Sequence, residues 1–117
     1  MELFEAIRRD RRVDSLSVRA LAERHEGYED RPGQREMLRE VAARFNEGGI
    51  AIVEAGTGTG KSLAYLVPAA RWARDNAERT VVSTNTINLQ EQLVRKDLPL
   101  VEKLVGDGKW ALVKGRG

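Results

Sequence analysis

Ile50-Ala51-Ile52-Val53-Glu54-Ala55-Gly56-Thr57-Gly58-Thr59-Gly60-Lys61-Ser62 is the stretch whose reading decides the fold. An apolar, β-branched run comes first, then a glycine–threonine loop, then the start of a helical pattern. Strand, loop and helix in that order are the layout of a phosphate-binding loop. Gly56, Gly58 and Gly60 can take backbone angles closed to residues with a Cβ, so successive N–H groups can turn around a phosphate chain. Lys61 supplies a mobile cation, the Ser62 hydroxyl suits a magnesium ion, and a helix N-terminus already favours an anion. The strict pattern G-x-x-x-x-G-K-[ST] wants glycine at position 55, and this chain has Ala55. The bland alternative is a flexible Gly/Thr turn that binds nothing, and the readable strand and helix on either side weigh against it.

Downstream, Leu63, Leu66, Val67 and Ala70 form the apolar stripe of a helix. Pro68 lies inside that helix and deletes the hydrogen bond to the Ala64 carbonyl, so a local kink is expected there, costing up to about 3 kcal/mol. A polar segment, 74–79, closes the unit. A second strand is expected at 80–84, which makes a βαβ unit with a right-handed crossover. Asn85 or Thr86 then caps a helix carrying Ile87, Gln90, Leu93 and Val94. Pro99 breaks it and opens a short helix with Leu100, Val101 and Leu104 inward, ended by Gly106 and Gly108. Residues 110–114 read as a third strand. The expected fold is α/β, a small parallel sheet with flanking helices. In such sheets ligands bind beyond the carboxyl ends of the strands, which is where the glycine loop and the Ser83-Thr84-Asn85 turn fall.

Upstream, Pro32 fits the first turn of a helix. Met37, Leu38, Val41, Ala42 and Phe45 make its apolar stripe, and Gly48-Gly49 ends it. Gln34, near its head, carries an amide that both donates and accepts, which an adenine edge requires. Taken alone Gln34 reads as a surface amide; its place before the strand that leads to the glycine loop is what favours adenine. Residues 1–27 read as a helical segment with Leu3, Phe4 and Ile7, then Val18, Leu21 and Ala22, at helical spacing. Arg8-Arg9-Asp10-Arg11-Arg12 reads as a solvated face rather than a phosphate-contact patch, and His25 as a surface residue.

With 117 residues, 41% hydrophobic and 32% charged, the chain reads as one globular domain at most. A net charge of +2 does not by itself argue for nucleic acid. No cysteine is present, so no disulfide and no cysteine-ligated metal can form within these residues. One histidine leaves no basis for a zinc site. There is neither a membrane-length apolar run nor the apolar centre of a signal peptide, which predicts a cytoplasmic protein without a membrane partner.

Three blocks carry a family resemblance. Tyr28 with Arg31-Pro32-x-Gln34 resembles the adenine-recognising Q motif. Residues 54–62 resemble helicase motif I in its A-x-x-G-x-G-K-S form. Residues 81–93, with Ser83-Thr84 and Leu89-Gln90, resemble motif Ia. Together, over 28–117, they resemble the start of a superfamily 2 DNA helicase of the DinG type, related to the iron–sulfur helicases of nucleotide-excision repair. Lys96-Asp97-Leu98-Pro99-Leu100 and Lys114-Gly115-Arg116-Gly117 also resemble that group.

The resemblance implies a RecA-like P-loop domain, incomplete in this chain, that hydrolyses ATP with magnesium and moves on single-stranded DNA. It implies that Arg31 and Gln34 recognise adenine. It further implies that Ala55, Gly56, Thr57, Gly58, Thr59, Gly60, Lys61 and Ser62 hold the phosphates, with Ser62 also on magnesium. Thr84, Asn85 and Gln90 would touch the DNA backbone. No Asp-Glu pair follows the glycine loop, and the arginine finger and second motor domain are missing, so an N-terminal fragment that binds nucleotide but does not turn it over is expected. Iron–sulfur ligands would begin beyond Gly117. The competing readings are a stand-alone nucleotide-binding or regulatory module, another superfamily 2 translocase or RNA helicase, and a kinase-type P-loop enzyme. The last explains neither Gln34 nor the 83–93 block.

Overall fold

A computed structural model describes residues 32–55, 60–106 and 108–115. The expected helical segment at 1–27, Tyr28, Arg31 and Gly56 to Thr59 lie outside the described residues.

Helix α1 runs Pro32–Glu47 and starts on its proline, whose missing N–H is one the first turn leaves unbonded anyway. Leu38 and Ala42 are buried, with Met37 and Phe45 packed beside them, so the expected stripe is the one that faces the core. Gly48 and Gly49 take φ of +82° and +97°, and the Gly48 N–H donates to the Arg44 carbonyl at 2.8 Å. That left-handed exit ends the helix where glycine tolerates it best.

Helix α2, Lys61–Asn76, is the centre of the packing. It lies against α1 on one side and against α4, Leu98–Val105, on another. A helix between two neighbours buries more than one stripe. Ala64, Leu66, Val67, Pro68, Ala69 and Trp72 are all buried, where a narrower face through Leu63, Leu66, Val67 and Ala70 is expected from periodicity. The helix continues through Pro68, one of the two largest fully buried side chains. Trp72 stacks on Phe45 with ring centroids 5.9 Å apart, and its Nε1–H donates to Glu78 Oε2 at 3.0 Å. That bond satisfies the one polar atom of a large buried ring.

Thr86 caps the next helix, α3, Ile87–Gln92: its Oγ1 accepts from the Leu89 N–H at 3.1 Å. The expected break at Pro99 takes another form. Residues Leu93–Asp97 form a π-helical turn, in which the Leu98 N–H reaches back to the Leu93 carbonyl, and α4 follows without interruption. Pro99 explains the wide turn, because it has no N–H to offer the Arg95 carbonyl and its ring would crowd that carbonyl in a regular helix. Leu93, Val101 and Val105 join the core. Gly106 ends α4 at φ +107° with its N–H on the Glu102 carbonyl, and the Arg74 guanidinium donates to the Val105 carbonyl. A C-terminal carbonyl of α4 is therefore tied to α2 through a cation.

The expected sheet is not seen among the described residues. Among the described residues there is no strand: 50–54, 80–84 and 110–114, each expected as a strand, run as irregular backbone, and no βαβ unit is seen among them. Ile50 and Ile52 are 91% and 97% exposed, where a central strand would bury both faces. Val81 and Val113 are 86% and 87% exposed. A parallel strand exists only with a ladder partner and a layer on each face. The helices here cover one another instead, and among the described residues no backbone hydrogen bond joins these three segments. Their apolar, β-branched composition is real; the burial it calls for is not met among the described residues.

Candidate functional site

Gly60 is the residue on which the site turns. It precedes α2 with φ 74° and ψ 39°, a left-handed conformation open to glycine at little cost. Its carbonyl accepts the first helical N–H, that of Ala64, at 3.3 Å. The same carbonyl also accepts Gln34 Nε2–H at 3.1 Å. Gln34 is only 7% exposed, so α1 holds this amide inside the molecule against the end of the glycine loop. A buried amide must be hydrogen-bonded, and this bond ties two distant sequence blocks together.

Among the described residues no side chain caps the N-terminus of α2. The N–H groups of its first turn are left for another partner, and the dipole of a helix this long favours an anion there. Lys61 is exposed and Ser62 half-buried at that end. A cationic amine, a hydroxyl and uncapped N–H groups fit a polyphosphate with its magnesium. Among the described residues no group of three or more His, Cys, Asp or Glu could hold a metal unaided.

The structure thus brings Gln34 to Gly60, with Lys61 and Ser62 next in the chain. Ala55 is half-buried at the near side of the loop. Arg31 and residues 56–59 lie outside the described residues. Thr84 is half-buried and Asn85 exposed in the turn before α3, and Gln90 is half-buried on α3. Gln90 shares a groove with Glu91, Val94, Arg95, Leu112 and Lys114. Neither Arg95 nor Lys114 stands out in the sequence as a candidate, since surface cations are common. Pro99, by forcing the wide turn upstream, is the signal that could have drawn attention to Arg95. Among the described residues no helix is long and apolar enough to cross a membrane.

Comparison with known proteins is consistent with this geometry. The DEAD/DEAH box helicase family matches residues 31–110. The chain is 54% identical over 91 residues to the ATP-dependent helicase DinG of Mycobacterium tuberculosis, covering 74% of this chain and 14% of that protein. It is 41% identical over 101 residues to the ATP-dependent DNA helicase DinG of Escherichia coli, covering 85% of this chain and 14% of that protein. It is 44% identical over 86 residues to the 3'-5' exonuclease DinG of Bacillus subtilis, covering 74% of this chain and 9% of that protein. The chain therefore spans a small part of the length of these curated relatives. No solved structure matches it.

Proposed function

The chain belongs to the DEAD/DEAH box helicase family, and from that premise we propose that it is the ATP-gripping part of a DinG-type, ATP-dependent DNA helicase. The observation that carries the reading is the bond from Gln34 Nε2 to the Gly60 carbonyl. It places the amide expected at adenine against the loop expected at the phosphates. One Nε2 hydrogen is used in that bond; the other, with Oε1, remains for the donor–acceptor edge of adenine.

In this reading Arg31 and Gln34 select the base, and residues 55–62 hold the phosphates. Lys61 balances charge on the β- and γ-phosphates, and Ser62 supplies one magnesium ligand. Magnesium contributes charge neutralisation at the transferring phosphate. Thr84, Asn85 and Gln90 contact the backbone of single-stranded DNA, a contact that positions a strand without reading it. Residues 28–117 are the stretch of motor domain and 1–27 a separate lead-in. The segments 50–54, 80–84 and 110–114 are strands of a parallel sheet completed by other parts of the protein. Their exposed apolar side chains argue against a stand-alone module, which would have to cover them. The carboxylate and arginine that drive hydrolysis come from elsewhere, so these 117 residues alone bind ATP without turning it over. Any iron–sulfur cluster likewise takes its ligands outside this stretch, which has no cysteine.

Gln34→Ala in the complete protein tests the base assignment. A preference for ATP over GTP, read by competition binding, is expected to fall at least about tenfold, as when a site loses its partner for a polar edge. An unchanged ratio would remove Gln34 from the site.

A further inference from the structure

The helical run from Ile87 to Val105 carries two apolar faces, and the structure uses one of them. At about 100° per residue, a regular α-helix would set Val105, Val101, Leu98, Val94 and Ile87 within a sector of about 60°. The same helix would set Leu93 about 120° and Leu89 about 160° away from Val105. A continuous helix would therefore bury Ile87 and turn Leu89 to solvent. The structure does the reverse. Ile87 is 66% exposed, Val94 and Leu98 are half-buried, Leu93 is buried and Leu89 packs against the core.

The π-helical turn over Leu93–Asp97 accounts for the change. One residue added to a turn re-phases everything upstream by about 100° around the axis and about 1.5 Å along it. The positions facing the core then fall at every fourth residue, Leu89, Leu93, Asp97, Val101 and Val105. In a regular helix that spacing drifts off one face by about 40° at each step.

Two features hold the observed register. Pro99 has no N–H for the Arg95 carbonyl, which a continuous helix would need. Gln92 Nε2–H donates to Asp97 Oδ2 at 3.4 Å, and a regular helix would hold residues five apart about 140° from each other. Asp97 is a buried polar residue in an otherwise apolar row, and its side chain does not cap α4. A polar group at a core position is a well-attested means of fixing helix register. Helix α3 follows wherever the turn sends it. It buries no residue fully, and its extensive contact is with the π-helical turn, which in turn touches α2 and α4.

We propose that Ile87–Val105 is a two-register element, held by Pro99 and the Gln92–Asp97 bond in the register that aims α3, with a continuous helix as its alternative. In the alternative, Ile87, Val94 and Leu98 replace Leu89, Leu93 and Asp97 against the core, and α3 turns by about 100°. The functional consequence rests on the helicase reading: Gln90 turns away with α3, so Pro99, Gln92 and Asp97 act as positioning residues for strand-stimulated turnover.

The test uses the complete protein and hydroxyl-radical footprinting, which reads the exposure of Ile87 against that of Leu89. Ile87 is expected to label more heavily than Leu89 in the wild type, and Pro99→Ala is expected to invert the ratio. Pro99 is exposed, so the substitution removes no core packing, and the melting temperature and ATP affinity should hold. Adding Ile87→Gln, which makes the alternative register bury a polar amide, is expected to restore the wild-type ratio. Turnover stimulated by an oligodeoxythymidylate should fall at least about tenfold in Pro99→Ala, since a misplacement of this size is costly to catalysis. A wild-type ratio in Pro99→Ala, an inversion that Ile87→Gln does not reverse, or an early melt would each overturn the two-register element. An inverted and rescued ratio with full strand stimulation would uphold the two registers and remove α3 from the helicase reading.

Discussion

Lys61→Ala in the complete protein is expected to cut DNA-stimulated ATP turnover by at least about 10²-fold, the loss typical when a pre-placed charge at a developing anion is removed. The fold should not notice. Lys61 is exposed at the first position of α2, outside the core, and has no hydrogen bond or ion pair among the described residues. Its ammonium is therefore available for a ligand rather than engaged in holding α2. Initial rates of phosphate release, beside a thermal melt, check both halves. A variant with near-normal turnover would refute the phosphate-loop assignment, and a variant that melts early would give Lys61 a structural role that the packing does not show.

Trp72→Ala should have the largest effect on stability, about 3–5 kcal/mol, as expected for a buried tryptophan cut to alanine. The ring sits where α1 meets α2, stacked on Phe45 and hydrogen-bonded to Glu78. Its loss leaves a cavity against Phe45 and removes one hydrogen bond from the Glu78 carboxylate. Because α2 starts at Lys61, loosening it also loosens the phosphate end, so ATP affinity should fall in parallel. Trp72→Phe separates the two effects of the ring. It keeps most of the apolar volume but not the Nε1–H, and should cost distinctly less. Urea unfolding followed by far-ultraviolet circular dichroism reads the difference; a loss under about 1 kcal/mol for the alanine variant would place Trp72 outside the core.

The helices were legible because each carries its own instructions. Pro32 and Gly48 bound α1, Thr86 caps α3, and the stripe Leu38–Ala42 needs only a neighbour. Trp72 is not legible as core, since a single stripe through α2 omits the face on which Trp72 meets Phe45 of α1. From sequence Pro99 predicts a break, but a proline can also be absorbed by widening the turn ahead of it, as Leu93–Asp97 shows. Strand composition alone does not make a strand: Ile50, Ile52 and Val113 have the right side chains, but among the described residues they lack the partners that a ladder requires. At the site, Gln34 was legible as a candidate from its spacing, while its bond to the Gly60 carbonyl, a contact between residues 26 apart, appears only in three dimensions. Arg95 and Lys114 were illegible for the same reason, since only the folded chain brings them to one groove.

The most direct test of the central claim is ATP hydrolysis by the complete protein, measured with magnesium in the presence and absence of single-stranded DNA. A grip on ATP coupled to a nucleic-acid track predicts slow turnover alone and turnover raised at least about tenfold by the strand, in keeping with catalysis that depends on assembled positioning groups. Turnover that ignores the strand, or no turnover in either condition, would contradict it.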